Sequence, residues 1–555
     1  MSARIRTILI FTAILLPSLH FVWKNRDMPQ FAYLHDDGLL FVGAKSIAQD
    51  GGYRISSLPE NPLQTKFPPL YPLYLSAAWK IDPHFPENLR IATFLGWLML
   101  AGYLALAWIW YRRNGVPEWR IWLLVALLGL NPYVIWFGSI LFSDLFFSCW
   151  LIAALIVASR NDTGNDTGND AGNDAGNDLR GGVRAAFLAG VLGGAAYLAR
   201  SSGIALLIAL PAWYLWRRQP RRAAAFAAGM LPFVAGWSLW TRSHISHTTD
   251  LATMFYTDYV RYMMHVTWND MPVLLWKNID QLLYAMGSMA LPRIYGLLPL
   301  KILTQVIAVA MIAGTVRLAR RKFGIEYGLY ALVSCGILLV CNFPSTERYM
   351  IPLYPLLLAG LLAELEHMGH MFKAGFRHKD ASQRVAARAL SAVAALIFLG
   401  ALGLQVFMSL FFLQETVDQK SAKLRDQRAA YAWIRANLPA SATILSYDDP
   451  LLYLYTGRRG LHRPLDPLWW YREDHASILE AYRELPDYCR SRGLQYIYFT
   501  NDDLGRETGS DDREEVQFLI KNNPELTPVF TAGIGTVYKI APAPGAATAA
   551  NRALP

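Results

Sequence analysis

Asp36-Asp37, followed within one loop by Lys66-Phe67-Pro68-Pro69-Leu70-Tyr71-Pro72, is the stretch from which the rest of this chain is read. The acid pair stands just past the first apolar run, residues 7–23, and the Lys-x-Pro-Pro element comes before the second. Two adjacent carboxylates at the mouth of a membrane bundle are costly to place, so they mark a functional site by default. An acid pair and a cation thus share the first long loop.

The chain around them is apolar. Hydrophobic residues make up 54% and charged residues 17% of the 555, where a soluble protein carries about 25% charge. Apolar runs near the ~20 residues that cross a bilayer recur along the sequence. The class is a polytopic α-helical membrane protein. Its first run follows Arg4 and Arg6 and has no small-x-small cleavage site, which reads as an uncleaved signal anchor. The four cysteines, Cys149, Cys335, Cys341 and Cys489, show no metal spacing and no disulfide framework. The net charge of +10 comes from basic residues spread over short loops. That pattern sets topology and is not a nucleic-acid surface.

About eleven spans are expected from run length, beginning near residues 7, 91, 121, 141, 185, 203, 223, 300, 328, 350 and 389. Arg112-Arg113, Arg160 with Arg180 and Arg184, Arg217 to Arg222, Arg320-Arg321-Lys322, and residues 373–388 fill every second loop. Those loops are expected in the cytoplasm, with the N-terminus inside and the C-terminal region periplasmic. Loop one, residues 24–90, is then outside, and its aromatic, proline-flanked stretch 70–81 predicts an interfacial helix. A second outer loop, 241–292, is rich in Tyr, Trp, Met and His, and reads equally as an interface belt or a substrate-contacting segment. Residues 161–178, an Asn-Asp repeat, have nothing to bury and predict a disordered, functionally neutral expansion. The expected divisions are a membrane module over 1–413, a small periplasmic α/β domain over 414–540, and a disordered tail over 541–555. Helices are expected at 429–437, 475–490 and 513–522, and strands at 443–447 and 495–500.

Helix rise places the remaining charges. Asp144 lies sixteen residues before cytoplasmic Arg160 and Arg200 sixteen after Arg184, so each is roughly 24 Å away along a helix. Glu347-Arg348 falls in an outer turn. Asp36, Asp37, Lys66, Asp144, Arg200, Glu347 and Arg348 therefore share one membrane depth. Charges that merely prefer the interface would also do so, but Arg200 interrupts an otherwise apolar run. Acids can deprotonate a hydroxyl nucleophile, and cations can stabilise a phosphate leaving group. Such a set suits transfer from a lipid phosphate to a hydroxyl or amine. No P-loop, dinucleotide fingerprint or His-Glu-x-x-His is present, and Gly190-x-x-Gly193-Gly194 reads as a helix-packing face.

The chain resembles the GT-C glycosyltransferases, in particular the bacterial relatives of protein O-mannosyltransferases and of the lipid A aminoarabinose transferase. The resemblance rests on Asp36-Asp37, Lys66-Phe67-Pro68-Pro69-Leu70, Ser139 to Asp144, Leu198-Ala199-Arg200-Ser201 and Glu347-Arg348-Tyr349. Residues 433–439 and Thr456-Gly457-Arg458 match segments of the family's outer domain. Asp37 stands where Glu is commoner, and Ser201 replaces a proline. The resemblance implies a sugar moved from a polyprenyl-phosphate donor to an envelope acceptor (lipid, glycan or protein) at the periplasmic face of the inner membrane, by inverting displacement. It implies Asp36 as general base and Asp37 as a positioning acid. Lys66, Arg200 and Arg348 would hold the donor phosphate, with Asp144 and Glu347 orienting those cations. A divalent metal is compatible but not required, because fixed cations can take the leaving-group charge. Two other readings stand beside this one: a transporter or lipid flippase, and a non-catalytic envelope assembly protein.

Overall fold

The computed structural model describes residues 2–32, 35–160, 175–246, 248–293, 297–376, 381–501, 503 and 509–542. The repeat up to residue 174 and the tail beyond 542 lie outside them. The last four residues of the repeat, expected to be disordered, open the helix Ala175–Ala199.

Among the described residues seven helices are long and apolar enough to cross a membrane, and three shorter apolar helices, Asp144–Ala158, Ser201–Trp216 and Ile325–Val340, accompany them. This is a multi-pass membrane protein. The expected count of about eleven rests on run length, and these helices do not fix it. The run from residue 121 shows how one apolar stretch is divided. Its helix Glu118–Gly129 stops after 12 residues. Asn131 then caps a new helix, Pro132–Phe137, by accepting hydrogen bonds from the Tyr133 and Val134 N–H groups. Proline at the first helical position loses no bond but cannot continue the preceding helix.

Small residues let the bundle close. The helices Ala175–Ala199 and Pro220–His244 pack so tightly that a Cβ on Gly190 would lie 2.2 Å from the Phe226 carbonyl oxygen. Without hydrophobic pull between helices in lipid, such backbone approach supplies the packing. Outward faces carry large apolar side chains such as Leu239, Leu298, Val306 and Leu332.

Loop one is folded. The acid pair begins a ten-residue helix, Asp36–Lys45, where a loop was expected. Acids in a first turn are favoured by the helix dipole, and this helix has both. The helix expected over 70–81 is Leu70–Ile81. Loop 241–292 holds the helices Leu251–Thr257, Tyr259–Met263 and Met271–Ser288.

The C-terminal region is joined to the bundle by an uninterrupted helical path. Ala381–Phe407 passes through a wide turn at Met408–Phe412 into Leu413–Asn437, so residue 413 lies inside a continuous rod. Beyond it a five-stranded sheet forms from β1 (Thr443–Ser446), β2 (Arg459–Leu461), β3 (Tyr496–Thr500), β4 (Leu526–Ala532) and β5 (Gly535–Ile540). Its order is β2-β1-β3-β5-β4, with β1 parallel to β2 and β3, and the β4–β5 hairpin antiparallel. Helices His475–Arg483 and Leu485–Ser491 divide the single helix expected at 475–490, with Pro486 opening the second. The helix at the third expected position is Gly509–Lys521. The Arg458 guanidinium donates to the carbonyls of Thr456, Arg435 and Leu438, tying the two family-like segments of this domain together.

Candidate active site

All the charged residues of the ion-pair chain except Lys66 are placed by a helix end. Asp144 is the first residue of Asp144–Ala158 and is fully buried. Arg200 breaks the chain between Ala175–Ala199 and the tight turn Ser201–Ile204, with extended backbone at φ −159°. That break forms with Ser201, not a proline, after the arginine. Arg348 belongs to the short turn Glu347–Met350, which leads into Tyr354–Phe376. Lys66 is fixed by its surroundings. Its N–H donates to Gln64 Oε1 at 2.9 Å, the Trp240 indole donates to the Gln64 carbonyl at 2.9 Å, and Thr65 donates to the Thr257 carbonyl at 2.6 Å.

Five of the seven expected residues form one chain of ion pairs. Lys66 Nζ lies 3.2 Å from Asp36 Oδ1, and Arg348 Nη1 lies 3.1 Å from Asp36 Oδ2. Arg348 continues to Asp144, with Nε 3.6 Å from Oδ2, and Arg200 Nη1 closes on Asp144 Oδ1 at 2.8 Å. The side chains of Lys66 and Asp144 are 0% exposed, whereas Asp36 and Arg348 retain 17% and 14%. Aromatic faces line the cations. Lys66 Nζ sits 3.6 Å from the Phe255 ring centre and 4.5 Å from that of Tyr259, and the Arg348 guanidinium is 4.3 Å from Phe142. In a desolvated place such contacts add attraction that water would otherwise supply. Burial pushes the Asp36 carboxyl up, but Lys66 and Arg348 outweigh it and hold it well below the usual carboxylate range.

A cavity of about 810 Å³ opens on this chain, and Asp36, Glu347 and Arg348 are in its wall. Lys66, Asp144 and Arg200 stand behind that wall, reached through their partners. One side of the cavity is apolar, with Tyr133, Trp136, Phe137, Met408 and Phe412. Another is mixed, with Tyr447, His462, Asp466, Trp469 and Trp470 from the C-terminal domain. Phe255, Tyr259 and Tyr262 of loop 241–292 also line it.

Two expected residues sit apart from the ion-pair chain. Asp37 turns back and accepts the Ala32 N–H at Oδ2, 3.0 Å away. Burial lifts its carboxyl to about 7 against that hydrogen bond, with Asp36 and Asp448 adding to the rise. Glu347 pairs with Arg293 and accepts from the Ser288 hydroxyl at 2.8 Å. Arg293 was missed by sequence reading because an isolated arginine in an outer loop carries no pattern.

A second missed group lies beside Asp36. His35 Nε2 is 2.7 Å from Asp449 Oδ1. Tyr256 donates to the same oxygen at 2.6 Å and accepts the His462 N–H at 2.9 Å. Burial pulls the His35 imidazole below its ordinary value, against the opposing pull of Asp449. His35 has φ 63° and ψ −48°, close to a strained γ-turn geometry. Among the described residues, no group of three His, Cys, Asp or Glu side chains is placed to hold a metal. Both Asp36 oxygens are instead taken by cations of the chain.

No family model and no curated protein sequence matches this chain. Solved structures do. ArnT of Cupriavidus metallidurans bound to undecaprenyl phosphate aligns over 97% of this chain and 98% of its own, with a TM-score of 0.51 at 14% identity. The apo state of that ArnT aligns over the same shares with a TM-score of 0.50 at 13% identity. The Archaeoglobus fulgidus oligosaccharyltransferase tethered with an acceptor peptide aligns over 96% of this chain and 74% of its own, with a TM-score of 0.50 at 12% identity. The chain shares its fold with these solved structures. The likeness extends from the first span through the C-terminal sheet, as the coverage requires. Within this fold the ion-pair chain gathers at helix termini, those of Asp144, Arg200 and Arg348.

Proposed function

We propose that this chain is a membrane glycosyltransferase. It moves a sugar from a polyprenyl-phosphate donor to a cell-envelope acceptor at the periplasmic face of the inner membrane. The observation that carries this reading is Asp36 in the cavity wall, bridging Lys66 and Arg348. An acid that can take a proton stands beside the cations that a departing phosphate needs. The solved ArnT with undecaprenyl phosphate supports the donor class.

In the proposed reaction the acceptor hydroxyl or amine attacks the anomeric carbon of the donor, and Asp36 receives its proton. The bond from that carbon to the phosphate oxygen breaks with inversion, and the phosphate keeps the electron pair. Arg348, on the cavity wall, meets the phosphate charge directly. Lys66 follows when Asp36 is drawn to the acceptor, while Asp144 and Arg200 hold Arg348 from behind. Asp36 is a weak base while two cations hold it. A phosphate that competes for those cations restores its basicity, so the base is switched on by the donor. The apolar side of the cavity suits the polyprenyl chain. Charges gathered at one end of the bundle favour this chemistry over a transport pathway, which would place them near the midplane.

The test is direct. Purified chain in detergent is given a panel of radiolabelled undecaprenyl-phosphate sugars with envelope extract as acceptor. Loss of donor and release of undecaprenyl phosphate are expected, and both should stop in Asp36→Asn. Intact donor across the panel, with binding shown by calorimetry, would sink the transferase reading. A periplasmic site also requires that alkaline phosphatase fused to the C-terminus be active.

A further inference from the structure

The C-terminal domain reaches His35, the residue just before the proposed base Asp36. Its helix Asp449–Thr456 lies along the helix Asp36–Lys45. The approach is so close that a Cβ on Gly38 would come 2.9 Å from Pro450 Cβ. Further along, Lys45 Nζ lies 4.7 Å from the Tyr453 ring centre. At the head of this pair Asp449, fully buried, takes hydrogen bonds from His35 and Tyr256 on one oxygen.

His35 is one of seven described non-glycine residues with positive φ. A non-glycine residue at φ 63° and ψ −48° persists only where its surroundings over-determine it. Two anchors do so here. Its N–H donates to the Ala32 carbonyl at 3.0 Å, and its ring is held at 2.7 Å by Asp449. Its own carbonyl accepts the Leu39 N–H at 3.1 Å, which starts the helix that presents Asp36. The orientation of that first turn thus depends on a side-chain bond to another domain.

We propose that His35, held by Asp449 and Tyr256, is a positioning residue that aims Asp36, so that docking of the C-terminal domain sets the geometry of the base. This rests on the reading of Asp36 as the base of a sugar transfer. A bond that only joined the two domains would need neither a strained residue nor a place next to the reacting acid. Displacing a reacting group by about 1 Å can cost on the order of 100-fold in rate, so an aiming device has measurable consequences.

Four variants of the full-length chain test it: Asp449→Ala, His35→Gly, His35→Gln and Tyr256→Phe. Glycine accepts the backbone angle but loses the ring bond, whereas glutamine keeps an N–H donor of similar reach. Turnover is read as release of undecaprenyl phosphate from labelled undecaprenyl-phosphate sugar, and affinity as binding of undecaprenyl phosphate alone. Asp449→Ala and His35→Gly should lose roughly 10- to 100-fold in kcat, with donor KM and lipid-phosphate affinity within about threefold of wild type. His35→Gln should recover most of the loss, and Tyr256→Phe should lie between. Folded variants with wild-type kcat would overturn the proposal, and so would kcat and binding falling together. Amide exchange decides the matter if the wild type turns over no donor, which would be a failure of the transferase reading alone. The amides of residues 39–43 should exchange faster in Asp449→Ala and His35→Gly, while those of 148–155 stay as in wild type. Unchanged exchange at 39–43 would overturn the positioning role, and an unfolded Asp449→Ala leaves the Tyr256→Phe exchange to decide it.

Discussion

The two ends of the bundle are both rich in arginine, and they use it in opposite ways. At the site end Lys66, Arg200 and Arg348 are nearly or fully buried, and each closes on a carboxylate. At the other end a cavity of about 1160 Å³ is bordered by Arg113, Arg120, Arg160, Arg217, Arg321 and Lys322. Most of these are exposed, and the Arg120–Glu366 pair there is 33% exposed on both sides. The same helices carry both sets. Asp144–Ala158 has Asp144 at one end and Arg160 just past the other, and Arg200 and Arg217 flank Ser201–Trp216. Burial makes the difference. An exposed pair contributes about 0–1 kcal/mol, whereas breaking a buried pair costs about 3–5 kcal/mol. One end holds charges in a fixed geometry, which the proposed reaction would use. The other holds solvated charges of the kind that orient a membrane protein.

The largest effects should therefore come from the buried chain. Asp36→Asn should lower turnover by roughly 100-fold or more, the usual contribution of a general base. It should also bind undecaprenyl phosphate more tightly than wild type, because the carboxylate that competes for Lys66 and Arg348 is gone. Calorimetry with undecaprenyl phosphate and a transfer assay separate the two effects. Wild-type turnover in Asp36→Asn would break the comparison at its centre. Arg348→Ala should do the reverse for binding, weakening the lipid phosphate by roughly tenfold or more. It also leaves Asp36 and Asp144 each short of a partner, so the unfolding transition should lose about 3–5 kcal/mol.

Asp37 gives the next effect, and its sign is opposite to that of its neighbour. Its carboxyl is raised to about 7 by burial, above the ordinary 3.8. Stability from such a group is fully present below the unfolded value and is lost as pH rises through 7. Thermal stability of the wild type should carry a component that falls between pH 5 and pH 8, on the order of 1–3 kcal/mol. Asp37→Asn should flatten that component and keep the fold. A fall of the same size in Asp37→Asn would show that another group titrates there and that the Asp37 carboxyl does not.

The sequence made the membrane class and the gathering of charges legible, because hydropathy, loop arginines and helix rise are local properties. Asp144 and Arg200 could be brought to one depth by counting residues from Arg160 and Arg184, and the structure joins them at 2.8 Å. The helix Asp36–Lys45 was missed because Asp-Asp-Gly reads as a loop when its burial under Pro450 is not visible. The expected partners of Glu347 were the site cations, and its observed partner is Arg293. His35 and Asp449 are 414 positions apart, and no periodicity connects such a pair. Strands β2 and β4 were missed for a related reason: a three-residue strand and a mostly exposed hairpin strand lack the alternation that marks a buried face.

The smallest effect is expected at the opposite end, and it is the one that tests the comparison as a whole. Arg321 and Lys322 follow the helix Leu298–Arg320 and border the larger cavity. Both are exposed, and neither belongs to the ion-pair chain. If solvated cations there serve only to orient the chain, replacing both by glutamine should leave transfer within about twofold. Stability should stay within about 0.5 kcal/mol, as for surface changes generally. Arg320 and the other basic loops would still direct insertion, because orientation follows the summed bias of several loops. The assay compares this double variant with Arg348→Ala in the same membranes, at matched expression and with the C-terminal phosphatase fusion as a check on orientation. A loss of tenfold or more in a correctly oriented double variant would mean that the second cavity takes part in the reaction cycle. The division into a chemical end and a topological end would then have to be given up.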